Sequence, residues 1–134
     1  VATGECAIAL TNSYYFVRLM RSKKPEDRAM ADKVTLVWPN QASYGTHMNI
    51  SGGGVLKYAP NRGAAVKFLE YLASDEAQTY FANGNNEWPV VRGVIAKNPE
   101  LESLGKFKAD TLSVAEIGSR TPTAQKIVDR AGWR

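Results

Sequence analysis

The sequence predicts an α/β fold, and three observations carry that expectation. Two short apolar segments bounded by turn residues, 6–10 and 34–38, read as buried strands. Between and after them lie segments with helical spacing, each with a start or stop residue. The composition, 44% hydrophobic and 22% charged over 134 residues, is that of a globular chain long enough to bury a core.

Cys6-Ala7-Ile8-Ala9-Leu10 is small and apolar on both faces, with Gly4 before it and Thr11-Asn12-Ser13 after it. A helix is expected over Tyr14–Arg21, with Asn12 or Ser13 as its N-cap. Pro25 suits the first position of a short second helix reaching Ala31, and Pro39 ends the strand that follows at 34–38. Residues 40–54 are polar and glycine-rich and read as a crossover, with 46–50 its single strand-like run. Gly52-Gly53-Gly54 lacks both the Lys-Ser/Thr of a phosphate loop and the spacing of a dinucleotide fingerprint, so a tight turn or close backbone approach is expected there.

Asn61 caps an expected helix whose apolar positions Ala65, Phe68, Leu69 and Leu72 recur at helical spacing. Ser74 caps the next, with Asp75 and Glu76 in its first turn and Asn83-Gly84 as its stop. Residues 88–91 read as extended, and Asn98-Pro99-Glu100 opens a loop or a single turn around Leu101 and Leu104. Ser113 and Glu116 have the spacing of a capping box for a short helix. Thr121-Pro122 starts a separate last helix to Arg130, with Ala124, Ile127, Val128 and Ala131 facing inward and Gly132 ending it. The expected strands are too few to close a sheet alone, so either more chain belongs with this piece or two copies complete each other.

Several function classes are disfavoured at this level. No apolar run approaches the roughly 20 residues that span a bilayer, and no basic segment leads into an apolar stretch, so no signal peptide is expected within the chain. The net charge of +4 is scattered apart from Arg18, Arg21, Lys23 and Lys24, which complement a helix C-terminus. No aromatic-interleaved basic stripe speaks for nucleic acid. One cysteine, Cys6, rules out an internal disulfide and reads as a small buried hydrophobe. The single histidine, His47, has no partner in sequence for zinc or for a nucleophile, and it reads as structural. No convergent acid–base set points to an enzyme.

The chemistry is concentrated at Asn12-Ser13-Tyr14-Tyr15. Adjacent helical positions point about 100° apart, so both tyrosines cannot face one flat core. At a first turn, both hydroxyls can swing into the space beyond the helix end. Taken alone, the pair is still better explained by packing with a hydrogen-bonded hydroxyl. The ligand reading has a definite cost, because a phenol with pKa near 10 requires about 4 kcal/mol to ionise at pH 7. A hard trivalent cation offsets that for two phenols at once, whereas calcium and magnesium prefer carboxylates, carbonyls and water. Paired tyrosine ligation therefore points to Fe3+. The positive end of the helix would repel a bare cation, and an anion bridging the metal and the N–H groups at Asn12–Tyr14 would restore the balance.

The run from Gly4-Glu5-Cys6-Ala7-Ile8-Ala9 into Asn12-Ser13-Tyr14-Tyr15 resembles the ferric-ion-binding proteins, the periplasmic solute-binding components of bacterial ABC iron importers. The likeness continues in order through 45–52, Phe68-Leu69-Glu70-Tyr71-Leu72, Glu76-Ala77-Gln78, Asn86-Glu87-Trp88-Pro89-Val90, Phe107-Lys108-Ala109-Asp110 and Asp129-Arg130-Ala131-Gly132-Trp133. The resemblance implies a two-lobed, type II periplasmic-binding-protein fold that closes on its ligand, working with a membrane permease. It implies Fe3+ bound by the phenolates of Tyr14 and Tyr15, with Asn12 and Ser13 holding a synergistic anion such as carbonate or phosphate. By the same analogy, residues 1–44 and 96–134 belong to the C-terminal lobe, and 45–95 cross to the other. Two departures qualify it. The family's remaining ligands lie upstream of this stretch, so the chain corresponds to a C-terminal portion; and Trp88 stands where many members have a tyrosine. Iron bound by this half-site alone is expected to be weak. Two other readings remain open: a solute-binding protein for an anionic or organic ligand held by Asn12, and a structural fragment that dimerises.

Overall fold

The structure, a computed structural model, describes residues 1–133, which form two compact units. The first takes Val1–Val37 and Asn49–Lys106; the second takes Trp38–Met48 and the chain from Phe107 onward.

In the first unit, α1 (Ser13–Met20) starts after Asn12, whose extended backbone occupies the N-cap position although its side chain makes no cap bond. Val17 is the residue of α1 that is fully buried. A short turn leads to α2 (Pro25–Ala31), with proline at its start and Glu26 and Asp27 in its first turn, as the dipole favours. Ser22 closes that turn from both sides: its hydroxyl donates to Asp27 Oδ2 at 2.5 Å, and its carbonyl accepts from Arg28 Nη1 at 2.5 Å. Helix α1 packs on α2 and on α5.

Helices α3 (Arg62–Leu72) and α4 (Asp75–Asn85) follow, and α5 (Pro99–Ser103) is the expected single turn. Ser74 caps α4 as its position predicts, accepting from the Ala77 N–H at 3.3 Å. Gln78 joins three segments: its amide donates to Leu72 O at 2.8 Å and its carbonyl accepts from the Val90 N–H at 2.8 Å. Other expectations need correction. Asn61 makes no side-chain cap bond, since its backbone (φ −116°, ψ 53°) lies outside the extended region a cap uses. Helix α4 runs past Asn83-Gly84 to Asn85 and is stopped by Asn86 in the left-handed conformation, φ 63°.

In the second unit, Thr46 and Ala109 form a parallel bridge, with the Thr46 N–H donating to Lys108 O and the Asp110 N–H to Thr46 O, both at 2.8 Å. The Gln41 side chain reinforces it, donating to Lys108 O at 3.1 Å and accepting from the Lys108 N–H at 2.7 Å. Trp38 stacks on Phe107 with ring centroids 4.3 Å apart. Gly45, at φ 99°, is required here: a Cβ would lie 2.7 Å from the Lys108 carbonyl oxygen.

Beyond this bridge comes α6 (Val114–Arg130), capped by Ser113, which accepts from the Glu116 N–H at 3.1 Å. It is one continuous helix where two were expected, and Pro122 lies inside it. Thr121 does not cap; its hydroxyl donates back to Ile117 O at 3.3 Å, as a helix-interior threonine does. The expected inward face is also corrected: Ala124, Ile127, Val128 and Ala131 are all exposed, Ile127 by 60%.

The expected sheet is not realised. Segments 6–10 and 34–38 form no strand, and the Thr46–Ala109 bridge is the only β pairing among the described residues. A strand is stable only when neighbouring strands satisfy its N–H and C=O groups and cover its faces. Without them Ile8 and Leu10 stand 88% and 84% exposed, and Cys6, expected to be buried, is exposed with them.

Candidate metal centre at the start of the first helix

Tyr14 and Tyr15 occupy the first turn of α1, just after the extended Asn12. Tyr14 is partly buried and Tyr15 is 47% exposed. Their rings nevertheless lie together, with centroids 4.2 Å apart and planes tilted by 38°. The angular divergence of neighbouring helical positions is thus overcome at the helix end, where no preceding turn confines the side chains. Two phenols and a helix N-terminus share one small, solvent-reached volume.

The Arg18 guanidinium lies over the Tyr15 ring, 5.4 Å from its centroid, from a position three residues further along the same face. The Tyr15 phenol is raised above its ordinary pKa. The Tyr14 hydroxyl is the main cause, through hydrogen bonding and then charge; slight desolvation adds to it, and Arg18 opposes it. The Tyr14 hydroxyl therefore opposes ionisation of Tyr15 unless a cation sits beside it.

Asn12 directs its carboxamide away from α1, its Oδ1 accepting from Asn49 Nδ2 at 3.4 Å. The first N–H groups of α1 accordingly have no side-chain cap, which leaves them available to an anion. Ser13, the first helical residue, is partly buried beside them. Asn49 is a neighbour that sequence reasoning missed, and nothing local signals it across 37 positions. Arg18 was legible in principle, since Tyr15 and Arg18 stand three apart on a helix. His47 is exposed, and among the described residues no group of three or more His, Cys, Asp or Glu side chains is placed to hold a metal. Trp88 is partly buried.

Residues 1–109 match the family described as bacterial extracellular solute-binding protein. The chain belongs to that family. As a solute-binding protein it is similar over its whole length to two proteins of Synechocystis sp., iron uptake protein A2 at 48% identity and iron uptake protein A1 at 46%. It spans 39% of the first and 37% of the second, so it corresponds to about two-fifths of such a protein. Among solved structures, it is similar to the Trichodesmium protein IdiA (FutA) in complex with iron and citrate, with a TM-score of 0.90 and 54% identity over 100% of this chain and 42% of that one. The ferric binding protein from Campylobacter jejuni superposes with a TM-score of 0.92 at 36% identity, again over 100% of this chain and 42% of that one. The resemblance found in the sequence therefore holds, and this solute-binding protein shares its fold with part of the ferric-binding proteins.

Proposed function

We propose that the chain is the tyrosine-bearing part of a periplasmic protein that binds Fe3+ and hands it to an ABC importer permease. The ring pairing of Tyr14 and Tyr15 at the start of α1 is the observation that carries this reading. Both phenolates would ligate the metal, whose charge offsets an ionisation cost of about 4 kcal/mol for each phenol at pH 7. Asn12, Ser13 and the uncapped N–H groups of α1 would hold a synergistic anion, carbonate and phosphate being the simplest with the right charge and oxygen donors. The names of the relatives, iron uptake and ferric-binding proteins, support the cargo, and the Trichodesmium complex with iron and citrate shows that an anion can accompany it in a relative.

The reading is one of capture and delivery rather than catalysis. It includes a two-lobed protein in which residues 1–44 and 96–134 serve the C-terminal lobe and 45–95 the other. The remaining ligands would come from the part of the protein outside this chain.

The test is optical. Adding chelated Fe3+ to the full-length protein should produce a visible phenolate-to-iron charge-transfer band, and the Tyr14→Phe/Tyr15→Phe double variant should lack it. A wild type without the band, or a double variant that keeps it, would sink the proposal.

A further inference from the structure

Away from the tyrosines, at the far end of α1, a polar network of two buried asparagines and an exposed arginine connects three helices. Asn98 is 1% exposed and uses each hydrogen-bonding group of its side chain: its Nδ2 donates to Ala82 O at 2.9 Å and to Asn86 Oδ1 at 3.0 Å, and its Oδ1 accepts from the Leu101 N–H at 3.1 Å. Asn86, 5% exposed and held at φ 63°, passes the connection on, because the same Oδ1 accepts from Arg21 Nη1 at 2.5 Å. Arg21 Nη1 also donates to Asn83 O at 2.6 Å, and its Nε lies 3.8 Å from Glu100 Oε2. The C-cap of α1, the left-handed end of α4 and the N-cap of α5 are thus tied through two asparagines and one arginine.

A hydrophobic contact tolerates sliding and rotation; a charged donor held by two fixed acceptors does not. Arg21 stands seven positions after Tyr14, two helical turns, and so lies on nearly the same stripe of α1 about 10 Å along the axis. Any rotation of α1 that swings Tyr14 must break the bonds of Arg21.

We propose that Arg21, Asn86 and Asn98 form a positioning clamp that fixes the rotation of α1 and thereby the direction of the Tyr14–Tyr15 pair. The proposal rests on the tyrosine reading above. None of the three residues is a proposed ligand; they act through α1. Supporting residues outside the ligand shell commonly change metal affinity by about 10–100-fold when removed, and the clamp should fall in that range.

The experiment uses the full-length protein loaded with Fe3+. Arg21→Met and Asn98→Leu should each weaken iron binding at least about ten-fold in competition with a chelator and shift the maximum of the charge-transfer band. Arg21→Lys, which keeps the charge but loses the reach and planar donor geometry of the guanidinium, should fall between Arg21→Met and wild type. Ser74→Ala supplies the control, since it removes the cap of α4 and lowers the melting temperature without touching the clamp; its band and affinity should match wild type. If Arg21→Met does not fold, Arg21→Lys and Glu100→Gln carry the comparison. A clamp variant with wild-type affinity and band maximum overturns the proposal, as does a Ser74→Ala band shifted as far as that of Arg21→Met. A wild type with no band at all refutes the tyrosine reading instead.

Discussion

The Tyr14 hydroxyl beside Tyr15 and the Arg18 guanidinium over its ring act in opposite directions on one phenolic proton. Because Tyr14 prevails, Tyr15 holds its proton more firmly than a free tyrosine, and in the metal-free protein that contribution to stability is present at neutral pH and lost as alkali carries the phenol through its raised pKa. Ultraviolet titration of the iron-free protein should show Tyr14→Phe bringing Tyr15 back toward the ordinary phenol range and Arg18→Met moving it further up. The same sign governs the cargo. On the proposed tyrosine ligation, iron would displace both protons, so mild acidification should release it. Arg18→Met, by raising Tyr15, should release iron at a higher pH than wild type, seen as loss of the charge-transfer band. Release at an unchanged or lower pH would show that the cation over the ring does not tune the ligand.

At the scale of elements, local chemistry alone decides some features and neighbours decide others. Ser74 satisfies an orphan N–H of α4 from within its own segment, and Ser74→Ala should lower stability by about 1 kcal/mol in denaturant unfolding. Pro122 lies in the interior of α6, where proline is about 3 kcal/mol less favourable than alanine. Pro122→Ala should therefore raise helix content by circular dichroism; a fall would mean that the ring makes a contact the helix needs. These positions also show what was legible. Ser74 and Ser113 cap helices where the sequence places them, because a cap is made by residues two or three apart. The strands at 6–10 and 34–38 were read from apolar pattern alone, and pattern cannot supply the partner strand that makes an extended segment part of a sheet. Thr121-Pro122 has the pattern of a helix start, yet α6 already runs through it from Ser113. At the site, Tyr14, Tyr15 and Asn12 were visible as a cluster. Asn49 was not, since only the fold carries it to Asn12.

At the scale of the whole molecule, the apolar surface is the outstanding fact. Among the described residues only Val17, Ala31, Ala77, Ala82 and Leu101 are buried hydrophobics, while Ile8, Leu10, Val37, Ile95 and Ile127 are each at least 60% exposed. Scattered apolar residues on a surface are ordinary, but here the exposed ones include Ile8 and Leu10, Val37, and the inward stripe expected of α6. A chain spanning 39% of its Synechocystis relative leaves about three-fifths of such a protein to cover them. Two occupants would serve: the remainder of the protein, or a second copy of this chain. They differ in what concentration does. If a second copy covers the surface, the 134-residue chain should bind a hydrophobic dye at high dilution and lose that binding as light scattering reports dimers. If the remainder covers it, the isolated chain should bind dye at every concentration or aggregate, and the full-length protein should be monomeric and dark. We expect the second outcome, with iron held much more weakly by the isolated chain than by the full-length protein, because two phenolates leave most of the iron's coordination to water and anion. Equal iron affinity in the two would mean that Tyr14 and Tyr15 do not need ligands from outside these residues.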